Sequence, residues 1–334
     1  MKLWFVSPDE SPLASRDPSL INAIRNEMLQ HLDVGRAKSP NEADAIILHE
    51  SFSFKEWRYV SKLLADPVTG PYPHKAYTVN TDDIATGLLA GLYTSIPRNR
   101  FQAQCHRAVP YFWYPNEWVL KPPCTGTRKP RFLATWRGNV GSNPKLRQAL
   151  FEQCQGSSTM LAEATETGWN LHGEQEKRRY VDVLREGRFS LCPAGWAPVS
   201  WRIYESMALG VSPVIIADSF VPPDGPDWDR FAIRVPENSL HELETVLSEH
   251  SSAFDKMGML ALDAWREFFE PDKVIRYYGK SLLDCIRSRS GFCSRESELC
   301  RWRSLRMRWS NRWTFLQRLQ TWVSQRRFRR SVAI

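Results

Sequence analysis

The chain has 334 residues, 42% hydrophobic and 25% charged, which excludes the disordered and fibrous classes and leaves room for two domains with a sizeable core that needs neither disulfides nor metals. The net charge of +8 is local: residues 301–334 hold ten Arg and no acid, so the first 300 residues carry −2. A near-neutral body with no nucleic-acid-binding signature argues against a nucleic-acid partner.

Residues 2–6 form a short apolar strand ending at Ser7-Pro8. Asp17-Pro18 reads as an N-cap with Pro at the first helical position, and Leu20, Ile21, Ile24, Met28 and Leu32 follow at helical spacing. Residues 43–48 (ADAIIL) read as a buried strand. Phe54, Trp57, Val60 and Leu64 mark the next helix, and residues 75–79 a third strand that closes on Asn80-Thr81-Asp82-Asp83. Strands alternating with helices argue for a parallel sheet covered on both faces. Pro110, Pro115, Pro122, Pro123 and Pro130 then crowd residues 108–130, the mark of an interdomain linker.

A second α/β unit follows. Residues 131–135 are a strand, and Asn143-Pro144 opens a helix through Cys154. Tyr180, Val183 and Leu184 lie on another helix, stopped by Gly187. Residues 189–192 are a strand, a loop leads to a helix at 201–209 stopped by Gly210, and 213–217 (PVIIA) is the next strand. Ser239 and Glu242 have capping-box spacing ahead of Leu240, Leu243, Val246 and Leu247. Pro271 starts a last long helix near residues 274–286. Beyond it, Trp302, Leu305, Trp309, Trp313, Leu316, Leu319 and Val323 recur at helical spacing with Arg301, Arg308, Arg312 and Arg318 between them. A basic, Trp-rich amphipathic helix suits an anionic membrane surface; packing on the body and a disordered tail are the competing readings.

The expected layout is two Rossmann-like, doubly wound domains facing a cleft, over residues 1–125 and 126–290, with a basic helical tail over 291–334. Ligands of such sheets sit in the crevice at the carboxyl ends of the strands. The N-terminus has one Lys and a short apolar run before Pro8, too little for a signal peptide, and no run of about 20 apolar residues occurs. The seven cysteines (105, 124, 154, 192, 285, 293 and 300) have no CxxC spacing and read as reduced thiols. A cytoplasmic protein is expected, with membrane contact through residues 298–334.

The strongest local signal is residues 188–218, RFSLCPAGWAPVSWRIYESMALGVSPVIIAD. A buried strand ends in a Pro/Gly loop that feeds a helix N-terminus at Ser200, where free N–H groups and a partial positive charge suit a pyrophosphate. Arg202 lies in the first turn, unfavourable for the helix but apt for a bidentate phosphate contact. Glu205, one turn on, shares its face and is placed to accept hydrogen bonds from ribose hydroxyls. A purely structural Arg202–Glu205 pair is the competing reading, and the loop fits neither GxGxxG nor GxxxxGK[ST].

The same segment resembles the exostosin family of glycosyltransferases, which share Cys-Pro-x-Gly, then Ser-x-Arg-x-x-Glu, then Gly-x-x-Pro-Val-Ile-Ile-x-Asp. Here these are Cys192 to Gly195, Ser200 to Glu205 and Gly210 to Asp218. The likeness extends to FLATWRG at 132–138, to Arg147, to Tyr180, and to Trp228, Phe231 and Val235-Pro236-Glu237, about residues 131–285 in all; the N-terminal half matches loosely. The resemblance implies a GT-B architecture and transfer of a sugar from a nucleotide-diphosphate-sugar donor to a glycan or lipid-linked glycan acceptor with inversion, without a metal cofactor. It places Ser200 and Arg202 on the diphosphate, Glu205 on the ribose, Arg137 on the phosphates from the opposite loop, and Gly195 in the substrate-binding loop. Inversion needs a general base from the N-terminal domain. Asp83 and Asp82 are the candidates, with His49 and Glu50 as alternatives; a turn or cap role competes for the aspartates and a structural role for His49. His172 lies in a loop and reads as structural or solvent-facing. Asp227-Trp228-Asp229 spells the DxD of metal-dependent transferases but follows a Pro-rich loop, so no metal is expected there. Trp201 is bulkier than the residue the family often carries. The absence of an anchor like that of many eukaryotic relatives suggests a bacterial-type enzyme of surface polysaccharide synthesis. A non-catalytic nucleotide-binding relative or partner subunit is the alternative.

Overall fold

The computed structural model describes residues 1–50, 59–83, 86–114, 116–121, 129–166, 168, 171–289 and 293–305. The first unit holds β1 (Lys2–Phe5), β2 (Gly35–Arg36), β3 (Ala45–His49), β4 (Ala76–Asn80), β5 (Ala90–Tyr93) and β6 (His106–Ala108), with α1 (Ser19–His31) and α2 (Tyr59–Ala65). These strands form one parallel sheet in the order β2-β1-β3-β4-β5-β6. Successive residues of β3 serve opposite faces, as a strand's two-residue period requires. Ala45 and Ile47 pack with Leu3, Val79 and the α1 residues Ile24 and Met28. Ile46 and Leu48 pack with Val6 and the α2 residues Tyr59 and Leu63. Burial on both faces is why ADAIIL reads as an unbroken apolar run. Helix α1 begins one residue later than expected, at Ser19, whose N–H bonds to Asp17 Oδ1 at 2.9 Å. Phe54 and Trp57 lie outside the described residues.

The second unit holds β7 (Phe132–Asn139), β8 (Met160–Thr165), β9 (Gly187–Pro193), β10 (Ser212–Ile216) and β11 (Ile233–Arg234), parallel and ordered β11-β10-β9-β7-β8. Its helices are α3 (Pro144–Gln155), α4 (Glu174–Glu186), α5 (Trp201–Ala208), α6 (Leu243–Glu249) and α7 (Phe254–Ala264). Gly210, at φ +66°, ends α5 in the left-handed conformation that a side chain disfavours, as its position after the helix predicts. The Ser239–Glu242 capping box does not form: Ser239 caps nothing with its side chain, and a 3-10 turn over Leu240–Glu242 leads into α6.

Two parallel α/β sheets, each with helices, give the expected GT-B-like layout. The last long helix, α8 (Pro271–Arg289), follows the second unit in sequence but packs on the first. Its Val274, Tyr278, Leu282 and Ile286 join the core of α1 and β3–β5. At about 1.5–3 kcal/mol for each such side chain, that burial commits α8 to the first sheet. Gly279 lets the two helices approach, since a Cβ there would stand 3.1 Å from Met28 Cγ. The chain thus crosses between the units twice, and the crossings touch: Tyr114 Oη accepts from Trp265 Nε1 at 2.6 Å and donates to the Phe269 carbonyl at 3.4 Å.

The start of the expected tail is also part of the first unit. Helix α9 (Arg295–Arg303) buries Trp302 fully among Ile46, Leu48 and Tyr59. Glu298, itself buried, bonds to Arg289 at 2.8 Å, to Arg301 at 2.5 Å and to Trp302 Nε1 at 2.8 Å. Trp302 and Arg301, expected at a membrane surface, are therefore committed to the protein core. The rest of the stripe, from Trp309 on, lies outside the described residues. Among the described residues no helix is long and apolar enough to cross a membrane.

Candidate active site

The loop after β9 and the N-terminus of α5 form one wall of a cleft of about 310 Å³ between the two units, within the size range of small-molecule sites. Ser200 is extended (φ −128°, ψ 141°) and caps α5, its Oγ accepting the Arg202 N–H at 3.3 Å. Arg202 and Glu205 follow one turn apart, both lining the cleft though only 6% and 4% exposed. They do not pair with each other. Arg202 Nη2 bonds to the Arg137 carbonyl and Nη1 to the Leu191 carbonyl at 3.4 Å, leaving Nε buried without a partner. Glu205 accepts the Tyr180 hydroxyl at 2.5 Å. Burial raises the Glu205 pKa above the ordinary glutamate value, against the lowering influence of Tyr180 and Arg202.

The carboxyl end of β7 supplies Arg137, Gly138 and Asn139 to the same wall. Arg137 bonds to Glu163 and, at 3.2 Å, to Glu176, so an anion arriving there competes with two carboxylates. Gly138 leaves room for Arg202: a Cβ there would stand 2.9 Å from Arg202 Nη2. Arg147 of α3 ties the two loops together. Its guanidinium donates to Ala194 O at 3.0 Å, Pro193 O at 3.3 Å and Asn139 O at 2.9 Å. Burial and then the neighbouring Arg202 lower its pKa. Gly195 sits against it, with a Cβ position 2.8 Å from Arg147 Nη2.

The facing wall comes from the first unit. Asp83, exposed, follows the carboxyl end of β4; Tyr111 follows β6 and donates to Asp83 Oδ1 at 3.4 Å. Tyr111 also packs on Trp201 at 4.8 Å between ring centroids. Asn116 closes one side, its Nδ2 donating to the Lys177 carbonyl at 2.9 Å.

The cleft thus brings together Asp83, Arg137, Gly195, Ser200, Arg202 and Glu205 from the expected set. It leaves out Asp82, His49 and Glu50. Asp82 is buried, its N–H held by Asn80 Oδ1 at 3.1 Å. His49 is buried beside Asp17 at the end of β3, and burial lowers its pKa. Glu50 is a core acceptor for Tyr59, for Thr78 at 2.5 Å and for Asn80 at 3.0 Å. Asp227 and Asp229 flank the buried Trp228 and point to solvent away from the cleft lining. Among the described residues no group of three or more His, Cys, Asp or Glu is placed to hold a metal. Lys177 and Asn116 line the cleft without any expectation from sequence, and so do His172, expected to be structural or solvent-facing, and Arg147, to which no role in the site was assigned. Arg147 had a signal: it shares the helical stripe of Leu150 and Cys154, an odd place for a cation without buried acceptors.

A family profile described as the "Exostosin GT47 domain" matches residues 20–250, reaching well into the first unit, where the motifs had matched only loosely. A protein of Oryza sativa subsp. japonica named a probable glucuronosyltransferase is 41% identical over 71 residues, covering 21% of this chain and 17% of that one. A probable beta-1,4-xylosyltransferase of Arabidopsis thaliana gives the same figures. A probable glucuronosyltransferase of Physcomitrium patens is 35% identical over 92 residues, covering 26% of this chain and 20% of that one. The chain thus matches about a fifth of the length of these relatives. Among solved structures, MurG of Acinetobacter baumannii aligns with 85% of this chain at a TM-score of 0.36 and 10% identity, too distant to bear on the site. With more than half of its length matched by the profile, the chain belongs to the exostosin GT47 family.

Proposed function

We propose that this protein is an inverting glycosyltransferase that moves a sugar from a nucleotide-diphosphate-sugar to a glycan acceptor. One arrangement carries the reading: a capped helix N-terminus bearing Arg202 and Glu205 faces a first-unit carboxylate, Asp83, across a single cleft. The diphosphate lies at the α5 N-terminus against Arg202 and Arg137, and Glu205 accepts from the ribose hydroxyls. Asp83 takes the proton of the acceptor hydroxyl as its oxygen bonds to the anomeric carbon. The bond from that carbon to the phosphate oxygen breaks on the opposite face, and its electron pair leaves with the diphosphate, stabilised by Arg202 and the helix terminus. Relatives named glucuronosyl- and xylosyltransferases put nucleotide-linked glucuronic acid and xylose first among donors to try.

The test is a thermal-shift screen of nucleoside diphosphates and nucleotide sugars, followed by product analysis with the hits. Binding with transfer supports the reading. Binding without transfer or hydrolysis favours the non-catalytic relative, and no binding overturns both. The reading extends to location: a cytoplasmic enzyme that meets lipid-linked acceptors at an anionic membrane through its Arg- and Trp-rich residues 306–334.

A further inference from the structure

Only two tryptophans among the described residues are exposed, Trp113 at 41% and Trp196 at 43%; Trp196 lines this cleft and Trp113 packs against Trp201, which lines it too. Trp196 lines it directly, from the loop between β9 and α5. Trp113 stands on the first-unit segment after β6 and meets Trp201 edge to face at 5.1 Å, while Trp201 meets Tyr111 at 4.8 Å. The four rings come from both units, and the diphosphate and ribose contacts assigned above use none of them. Exposed rings gathered around one cleft, unlike apolar side chains scattered singly, mark a binding surface.

We propose that Trp196, Trp201, Tyr111 and Trp113 form the binding wall for the acceptor, and that the acceptor presents the apolar face of a pyranose ring. This rests on the reading of the cleft as a transferase site and adds the chemistry of its second substrate. An aromatic face carries a partial negative charge and attracts the polarised C–H bonds along one face of a sugar ring, while hydroxyls at the sugar's rim need polar partners. Those partners share the cleft: the Asp83 carboxylate, bonded to Tyr111 at 3.4 Å, and Asn116. A ring stacked on this wall presents its rim hydroxyls towards Asp83, the carboxylate that must receive the acceptor proton. Trp201, larger than the residue the family often carries, gains a purpose here: from α5 it meets both Tyr111 and Trp113 and so joins the first-unit rings to the second unit.

The experiment measures binding of xylotetraose, cellotetraose and chitotetraose by saturation-transfer NMR and calorimetry, with uridine, guanosine and adenosine diphosphates titrated in parallel, in the full chain and in Trp196→Ala, Trp196→Tyr and Trp113→Ala. At least one tetrasaccharide is expected to bind. Trp196→Ala should weaken it about tenfold or more, as loss of an aromatic anchor does, and Trp196→Tyr should restore most of the affinity. Nucleoside diphosphate affinity should stay within about twofold. Failure of all three sugars to bind, glycan affinity unmoved by both alanine variants, or a loss confined to the nucleotide each overturns the proposal; the last would make the wall a nucleobase platform. A protein that binds glycan through Trp196 but takes no nucleotide keeps the wall and loses the transferase reading.

Discussion

Arg202 of α5 donates to the main-chain carbonyl of Arg137, 65 residues earlier at the end of β7. One guanidinium therefore joins the two loops that would grip a diphosphate, and Glu205 is left to Tyr180 instead of pairing with it. The sequence left an Arg202–Glu205 pair open; the geometry spends neither side chain on the other.

Arg202→Lys tests that geometry. Lysine keeps the charge but loses the fork that spans the Arg137 and Leu191 carbonyls. Nucleoside diphosphate affinity, read by calorimetry, is expected to fall about tenfold or more, consistent with loss of a charge-assisted bond of roughly 1.5–3 kcal/mol. Equal affinity in the variant would remove Arg202 from the site.

Glu205→Gln separates stability from function. Burial holds the folded Glu205 pKa above the ordinary value of 4.5. Between those two values the folded state binds more protons than the unfolded one. The carboxyl's favourable contribution is thus complete below 4.5 and lost as pH rises through the folded value. At pH 7–8 the glutamine variant should melt at or above the wild type, with the gap closing on acidification, while nucleotide affinity falls. A variant that melts lower at neutral pH would show that the ionised carboxylate is itself a structural asset.

Gly138→Ala puts a methyl 2.9 Å from Arg202 Nη2 and 3.3 Å from the Trp136 ring. Displacing the guanidinium should weaken nucleotide binding, and overpacking should cost about 1–3 kcal/mol in urea unfolding. Full affinity with full stability would mean that Arg202 moves aside freely.

Arg289 and Glu298 form a buried pair, 5% and 3% exposed, that fixes α9 to the end of α8. Arg289→Ala leaves Glu298 with Arg301, Trp302 Nε1 and the weak Cys293 thiol at 3.7 Å. Breaking such a pair costs about 3–5 kcal/mol. Urea unfolding should show that loss, and limited proteolysis should open residues 293–305 first.

Deleting residues 306–334 removes eight of the ten Arg of the basic stretch but spares the buried Trp302. Sedimentation with vesicles containing anionic lipid should fall at low salt, where surface attraction is least screened, with melting temperature unchanged. Equal sedimentation would end the membrane reading.

What was legible in the sequence was what the interior dictates. Ile46, Ile47 and Leu48, or Val214, Ile215 and Ile216, lie on strands buried from both sides, so their runs are unbroken. Strands β5 and β6 were missed because AGLY and HRA are short and lack alternation; only their neighbours in the sheet make them strands. Ser239 and Glu242 have the capping spacing, but the backbone at Ser239 (φ −109°, ψ 28°) is not extended, and spacing cannot report that. Arg137, Ser200, Arg202 and Glu205 are legible through a motif, and the fold brings them to one cleft. Asp82 and His49 were inferred from strand ends alone, where one residue of register decides between cleft and core. Helix α8 is amphipathic, and an apolar stripe does not say which of two sheets it will cover.

Tyr114 sits where the outgoing linker and the returning chain before α8 lie side by side, bonded to Trp265 and Phe269. Arg98, after β5, adds a separate tie between the units: its N–H bonds to the Ser219 carbonyl at 2.9 Å and its guanidinium to the Phe220 carbonyl at 2.8 Å, so the halves are fastened at more than one point. Tyr114→Phe removes only one of these fastenings, so it should weaken the grip of each half on the other while leaving both halves folded.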